Sequence, residues 1–188
     1  MRTIVFFLEE PSAEEMLKGL LPRVLPGTVS FQCIPFHGKR HLEKSLLRRL
    51  RSWQKPDSMF VVIRDQDSGD CQAIKQKLVD LCKQAGKKET LVRIASQELE
   101  SFYLGDLEAV EKGLNLDSGS LAKKQRKRKF RNPDTLGSPS QELERLTNSK
   151  YQKVSGSEAI GPHLKLEGNK SHSFNVLLDG IRRLVEEK

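Results

Sequence analysis

Met59-Phe60-Val61-Val62-Ile63-Arg64-Asp65-Gln66-Asp67-Ser68-Gly69-Asp70 decides the fold class. A short apolar run rich in Val and Ile, without alternation, is the signature of a strand buried on both faces, as in a parallel sheet. It stops at Arg64 and gives way to acids and a glycine, the composition of a strand-to-helix turn. Beyond it Ile74, Leu78, Leu81, Cys82 and Ala85 recur at helical spacing over 70–85. Gly86 stands where a left-handed residue ends a helix.

The same alternation extends to both sides. Thr3–Leu8, Thr28–Ile34 and Thr90–Ala95 read as further strands beside Met59–Arg64. Ser12-Ala13-Glu14-Glu15 has the form of a capping box ahead of the stripe Met16, Leu17, Leu20, Leu21, and His41–Trp53 carries Leu42, Leu46, Leu50 and Trp53 on one face. The order β-α-β-α-β-α-β predicts an α/β fold: a Rossmann-like, four-stranded parallel sheet with flanking helices and right-handed crossovers. This core spans 1–114. From 115 to 188 a helical and loop extension packed on the core is expected, with short helices over 97–104 and 106–114 leading into it. Ser138-Pro139-Ser140-Gln141 opens a helix through Leu146, and an amphipathic helix from Phe174 to Val185 is weakened by Gly180. Residues 115–137 and 149–171 read as loops.

The 188 residues carry 33 Lys+Arg and 25 Asp+Glu, a formal net charge of +8. Seven of those basic residues lie in 123–131, Lys-Lys-Gln-Arg-Lys-Arg-Lys-Phe-Arg, leaving 26 basic against 25 acidic residues elsewhere. The longest N-terminal apolar run, Ile4–Leu8, is too short for a signal-peptide core or a membrane span. Cys33, Cys71 and Cys82 form no disulfide or zinc spacing and read as small core residues. A cytoplasmic protein with no membrane contact is expected. Neither a phosphate-binding P-loop nor a dinucleotide fingerprint occurs, so an NTPase or nicotinamide enzyme is not expected.

Ligands of open parallel sheets bind beyond the carboxyl ends of the strands. Here those ends are acidic: Glu9-Glu10 after the first strand, Asp65, Asp67 and Asp70 after the third, Glu98 and Glu100 after the fourth. Acids after strands commonly serve only as helix caps. Crowded carboxylates, however, repel unless a cation neutralises them, and an all-oxygen set suits Mg²⁺ or Mn²⁺. Asp65 and Asp67, two apart in an extended segment, would project to one side. Glu98 and Glu100 cannot share a helical face, so at most one points into such a site.

These residues resemble the Toprim domain of topoisomerases, primases and small nucleases, with Glu9 in its first motif and Asp65-x-Asp67 in its second. Many members place Gly after the first Glu, whereas Glu10 stands here; Glu9 directly follows the strand. The chain is similar to the bacterial domain-of-unknown-function 4276 family, which is Toprim-like. The similarity rests on Leu-Glu-Glu-Pro-Ser-Ala at 8–13, Arg-Asp-Gln-Asp-Ser-Gly-Asp at 64–70, Glu-Leu-Glu-Ser-Phe-Tyr-Leu-Gly-Asp at 98–106, Lys-Phe-Arg-Asn-Pro-Asp at 129–134 and Tyr-Gln-Lys-Val-Ser-Gly at 151–156. The resemblance implies a Mg²⁺- or Mn²⁺-dependent nuclease hydrolysing RNA or DNA. Glu9, Asp65 and Asp67 would hold metal, and Asp70 or Glu100 would assist. It also implies an anti-phage defence context with an ATPase encoded nearby.

The basic stretch is either a solvated surface or a grip on phosphates; Lys127, Lys129 and Arg131 are the candidates, with Lys153 from a Gly/Ser loop. The alternative to an enzyme is a non-catalytic module that binds nucleic acid or an ATPase. A phospho-acceptor receiver domain would need a fifth strand ending in Lys, and the sequence has none.

Overall fold

The computed structural model describes residues 2–117 and 119–186. Four strands, β1 (Arg2–Leu8), β2 (Val29–Pro35), β3 (Ser58–Asp65) and β4 (Leu91–Ala95), form one parallel sheet in the order β2-β1-β3-β4. Ile4 is flanked by Phe31 on one side and Met59 on the other, and Asp65 lies opposite Ala95. The chain moves outward from β1 to β2, then crosses to the other side for β3. The crevice between β1 and β3 is therefore the topological switch point, where open sheets bind ligands.

Successive strand residues feed opposite faces. Val5, Phe7, Phe60, Val62, Val92 and Ile94 pack under α2 (Lys39–Arg51) and α3 (Cys71–Gln84), against Leu42, Leu46, Leu50, Leu78 and Cys82. Ile4, Phe6, Leu8, Met59, Val61 and Ile63 face the other way, under α1 (Pro11–Leu20) and α9 (His172–Glu186). Burial on both faces is why the central strands read as unbroken apolar runs. Between β4 and α9 run α4 (Glu100–Leu104), α5 (Leu107–Gly113), α6 (Ser120–Lys124), α7 (Pro139–Leu146) and α8 (Lys153–Ile160). Leu121, Phe130, Leu143, Tyr151 and Ile160 from this second half join the same apolar cluster as β1 and α1.

Helix ends follow local chemistry in some places and not in others. The Asp70 Oδ1 caps α3 by accepting from the Ala73 N–H at 2.7 Å. At the other end Gly86, at φ +74°, donates to the Lys83 carbonyl while Lys87 donates to that of Cys82, closing a Schellman turn. By contrast, Ser12 caps nothing. The helix starts two residues earlier, at Pro11 with Glu10 as N-cap, because proline fills the first helical position and needs no N–H partner. Ser138 is the N-cap of α7 but its hydroxyl makes no cap bond; the Glu98 Oε2 accepts from the Ser140 N–H at 2.8 Å instead.

The expected loop over 149–171 contains α8, a correction with a tertiary cause. Lys-Val-Ser-Gly-Ser-Glu-Ala-Ile has poor helix propensity, yet Ser157 and Ile160 are fully buried and the helix lies along α1. A Cβ at Gly156 would sit 2.5 Å from the Tyr151 ring, so only glycine lets the two meet. Gly180 is likewise a close-approach residue: a Cβ there would come within 2.8 Å of Arg93 Nη2. The basic stretch is not a loose loop. It begins in the last turn of α6 and makes a turn at Arg128–Phe130, anchored by buried Phe130 and by Gln125, whose Nε2 donates to the Leu104 and Phe130 carbonyls. The three cysteines are free, and burial pushes the thiols of Cys33 to about 12 and Cys82 to about 11, away from the thiolate form. Among the described residues no helix is long and apolar enough to cross a membrane.

Candidate active site at the carboxyl edge of the sheet

Glu9 leaves β1 buried and continues the strand pairing with its side chain. Its N–H donates to the Ile63 carbonyl at 3.2 Å, and its Oε2 accepts from the Asp65 N–H at 3.0 Å. Asp65 ends β3 and accepts a backbone hydrogen bond from Leu99. Glu100, at the start of α4, is 0% exposed. Its Oε1 accepts from the Tyr151 hydroxyl at 2.9 Å, and its Oε2 is buried without a partner. Three carboxyls from three separate chain segments thus come within reach of one another's charge near the switch point, Glu9 and Asp65 lining a narrow cleft with Glu10, Ser12 and Leu99.

Their charges oppose one another. Burial, followed by the neighbouring charges of Glu9 and Glu100, pushes the Asp65 carboxyl well above its ordinary range. Burial also raises Glu9, reinforced by Asp67 and Glu10 and opposed by the Asp65 N–H and Arg64. Glu100 is raised by burial against the attraction of Lys153 and the Tyr151 hydrogen bond. Lys153 is a cation whose charge reaches Glu100 and Asp65, and its Nζ stands 2.5 Å from the Glu10 Oε2. Burial works against its charge, but Glu10, Glu100 and Asp65 outweigh that and hold it above its ordinary value.

Asp67 is placed differently from the sequence expectation. The strand ends at Asp65, and Asp67 turns into the left-handed region at φ +53°, so the two aspartates do not project from one extended segment. Its Oδ2 pairs with Lys39 Nζ at 2.7 Å, although its charge still reaches Glu9. Asp70 is engaged as the α3 cap and exposed. Glu98, in the bend ahead of α4, is turned to α7, and Glu100, the first residue of α4, into the cluster. Lys153 lies in the first turn of α8 rather than in a loop. Lys129 pairs with Glu142 at 2.6 Å, while Lys127 and Arg131 are exposed.

The donor set fits a hard divalent cation in its chemistry: oxygen donors only, mutually repelling, with one buried carboxylate oxygen left without a partner. Among the described residues no three His, Cys, Asp or Glu side chains are already arranged around one point. Asp67, facing Lys39, is the member out of place.

The parallel sheet, with Glu after the first strand and Asp-x-Asp after the third, keeps the arrangement by which the chain resembles the Toprim domain. The chain belongs to the family described as domain of unknown function (DUF4276), whose model matches residues 8–182. It is similar in fold to the C-terminal region of the Burkholderia pseudomallei OLD protein, with a TM-score of 0.57 at 13% identity, covering 97% of this chain and 98% of that one. The C-terminal region of the Xanthomonas campestris pv. campestris OLD protein is similar at a TM-score of 0.50, 13% identity, and 97% and 95% coverage. Among curated proteins none matches this chain.

Three contributors to the site escape sequence reasoning. Tyr151, 2% exposed, holds Glu100, and burial keeps its hydroxyl far above the ordinary range and therefore a donor. Lys39 holds Asp67 from the start of α2. Arg64, buried in an otherwise apolar strand, donates to the Asp65 carbonyl at 2.8 Å and faces Glu43 of α2 at 3.4 Å. Only Arg64 had a signal, a charge at the end of a run that is otherwise apolar. Tyr151 stood only as the first residue of the family-matching stretch 151–156, with nothing to pair it with Glu100, and Lys39 approaches from a distant segment with no signal at all.

Proposed function

We propose that this chain is a metal-dependent nuclease that hydrolyses phosphodiester bonds of RNA or DNA at the β1/β3 crevice. The observation that carries the reading is the convergence of buried Glu9 and Glu100 on half-buried Asp65, each held above its ordinary range. Structural acids are normally paired or exposed, and perturbed carboxyls gathered in a crevice are the mark of a reaction centre. Glu9, Asp65 and Asp67 would hold Mg²⁺ or Mn²⁺, which supplies Lewis-acid stabilisation of charge on the phosphoryl oxygens. Asp67 would exchange Lys39 for the ion.

The chain's own groups supply the rest. Glu100, through its unpartnered Oε2, orients the attacking water and takes its proton, and Tyr151 fixes the carboxylate by its other oxygen. Lys153 offsets the negative centre and, with Lys127, Lys129 and Arg131, contacts substrate phosphates. Asp70 serves through the cap it gives α3. An ATPase partner and an anti-phage role follow from the resemblance to small Toprim proteins.

Purified protein incubated with tRNA, single-stranded DNA and plasmid, with Mg²⁺, Mn²⁺ or chelator, tests the reading. Cleavage that needs the metal and disappears in Asp65→Ala/Asp67→Ala is the expected result; equal cleavage by both proteins overturns it. The engagement of Asp67 by Lys39 and of Glu10 by Lys153 favours a second reading, a non-catalytic binding module in which these acids are permanently paired. It predicts nucleic-acid binding that survives both Asp changes, with no cleavage under any metal.

A further inference from the structure

Helix α2 carries Lys39, Arg40, Lys44, Arg48, Arg49 and Arg51 against one acid, Glu43, and all six cations are exposed. Arg40, Lys44, Arg48 and Arg51 follow one another at spacings of four, four and three, a single stripe about 16 Å long at 1.5 Å per residue. The opposite face, Leu42, Leu46 and Leu50, is buried on the sheet, which fixes the stripe outward. Glu43 does not neutralise it, being shared between Arg64 at 3.4 Å and Lys77 at 2.5 Å. Arg51 reaches the Gln84 carbonyl at 3.1 Å; among the described residues Arg40, Lys44, Arg48 and Arg49 have no acid partner.

The arrangement is locally unfavourable. Arg40 and Lys44, and Lys44 and Arg48, are like-charged pairs four apart, each destabilising an isolated helix by roughly 0.2–0.5 kcal/mol. Lys39 and Arg40 also sit at the positive end of the helix dipole, with no acid in the first turn. Asp67 pairs with Lys39, and the dipole favours Arg48, Arg49 and Arg51 in the last turn, but no acid among the described residues faces Arg40, Lys44 or Arg48, so an external polyanion is the natural counterpart.

The stripe begins at the reaction edge, because Lys39 opens α2 and touches Asp67. It runs on the sheet face opposite to that of Phe130 and the basic stretch 123–131. Neighbouring cations lie about 6 Å apart along the axis, one helical turn, so consecutive backbone phosphates can each meet one. We propose that the exposed face of α2 is a nucleic-acid backbone track, holding the strand that enters or leaves the β1/β3 crevice without reading its sequence. Its direction rests on the nuclease reading above; the binding itself does not.

The test is fluorescence-anisotropy binding in EDTA, so that no cleavage occurs, to a duplex DNA, a duplex RNA and a single-stranded DNA of about thirty nucleotides across a salt series. Arg40→Ala/Lys44→Ala/Arg48→Ala should weaken binding about tenfold or more near 0.1 M salt. It should also lower the slope of log K against log salt by about 2–3, one for each lost phosphate contact. Lys88→Ala/Lys150→Ala/Lys170→Ala removes the same net charge elsewhere and should change affinity less than about twofold, since only contacting cations release counterions. Circular dichroism and thermal unfolding confirm that both variants fold. Wild-type affinity and slope in the α2 variant, an equal loss in the control, or no salt-dependent binding by wild type to any of the three probes would each overturn the proposal. Metal-dependent cleavage alongside an unaffected α2 variant rejects the track and leaves the nuclease; the reverse rejects the nuclease and leaves the track.

Discussion

Asp65→Asn should make the metal-free protein more stable. The amide is isosteric with the carboxylate, and its Oδ1 can keep the hydrogen bond from Leu99, while Glu9 accepts from the backbone N–H of residue 65, which the change leaves intact. What disappears is a charge enclosed beside Glu9 and Glu100. Removing a half-buried charge crowded by like charges is worth roughly 1–3 kcal/mol, and at this chain length about 2–4 °C of melting temperature per kcal/mol. A rise of about 2–12 °C in EDTA at pH 8 is expected. The sign with pH follows from linkage. Folding raises the Asp65 carboxyl, so the native state binds more protons than the unfolded one. That contribution is fully present below the unfolded value, near 4, and is lost as pH rises through the folded value. The advantage of the variant over wild type should therefore shrink on acidification from pH 8 toward pH 4, and using the difference cancels groups that shift the opposite way, such as Glu111 and Glu142. Added Mg²⁺ should raise the melting temperature of wild type and leave the variant nearly unmoved, since ligand binding to the native state alone stabilises it by mass action. Differential scanning fluorimetry over pH and Mg²⁺ reads all of this. A variant less stable than wild type in EDTA at pH 8 would refute the crowded-charge reasoning.

Tyr151→Phe removes the donor to Glu100 Oε1 and leaves both oxygens of a buried carboxyl without a partner; it should lose about 1–3 kcal/mol, read by thermal unfolding in EDTA at pH 7.5. Glu98→Ala deprives α7 of its N-terminal acceptor at Ser140 and should lose about 0.5–2 kcal/mol, with urea unfolding as the measure and Glu144→Ala, exposed on the same helix, as the neutral comparison. Gly156→Ala places a methyl 2.5 Å from the Tyr151 ring and should lose about 1–3 kcal/mol by overpacking, even though alanine is the better helix former. Gly137→Ala, with open space around its Cβ, should be neutral in the same melts.

The four strands, their parallel pairing and α1 to α3 were legible because each rests on short-range pattern: unbroken apolar runs for strands covered on both faces, a stripe of period 3.6 for helices covered on one. Asp70 and Gly86 were legible as helix ends for the same local reason. Where a distant group supplies the partner, local rules misled. Ser138 has the right chemistry to cap α7, yet Glu98, forty residues earlier, takes that role. Lys153–Ile160 has the composition of a loop and becomes a helix because α1 and the Tyr151 ring offer it a fitted surface.

The candidate site divides along the same line. The sequence by itself determined that acids gather at the carboxyl edge of a parallel sheet, since the strand ends that carry them are set by local apolar pattern. Only the tertiary structure decided which acids face one another. Glu9, Asp65 and Glu100 come together because β1 and β3 are neighbours and the Tyr151 hydroxyl draws Glu100 inward. Asp67 turns to Lys39, Asp70 to the α3 backbone and Glu98 to α7, because each finds a nearer donor there. A carboxylate goes where it is best compensated, and compensation is a property of three-dimensional neighbours rather than of spacing along the chain.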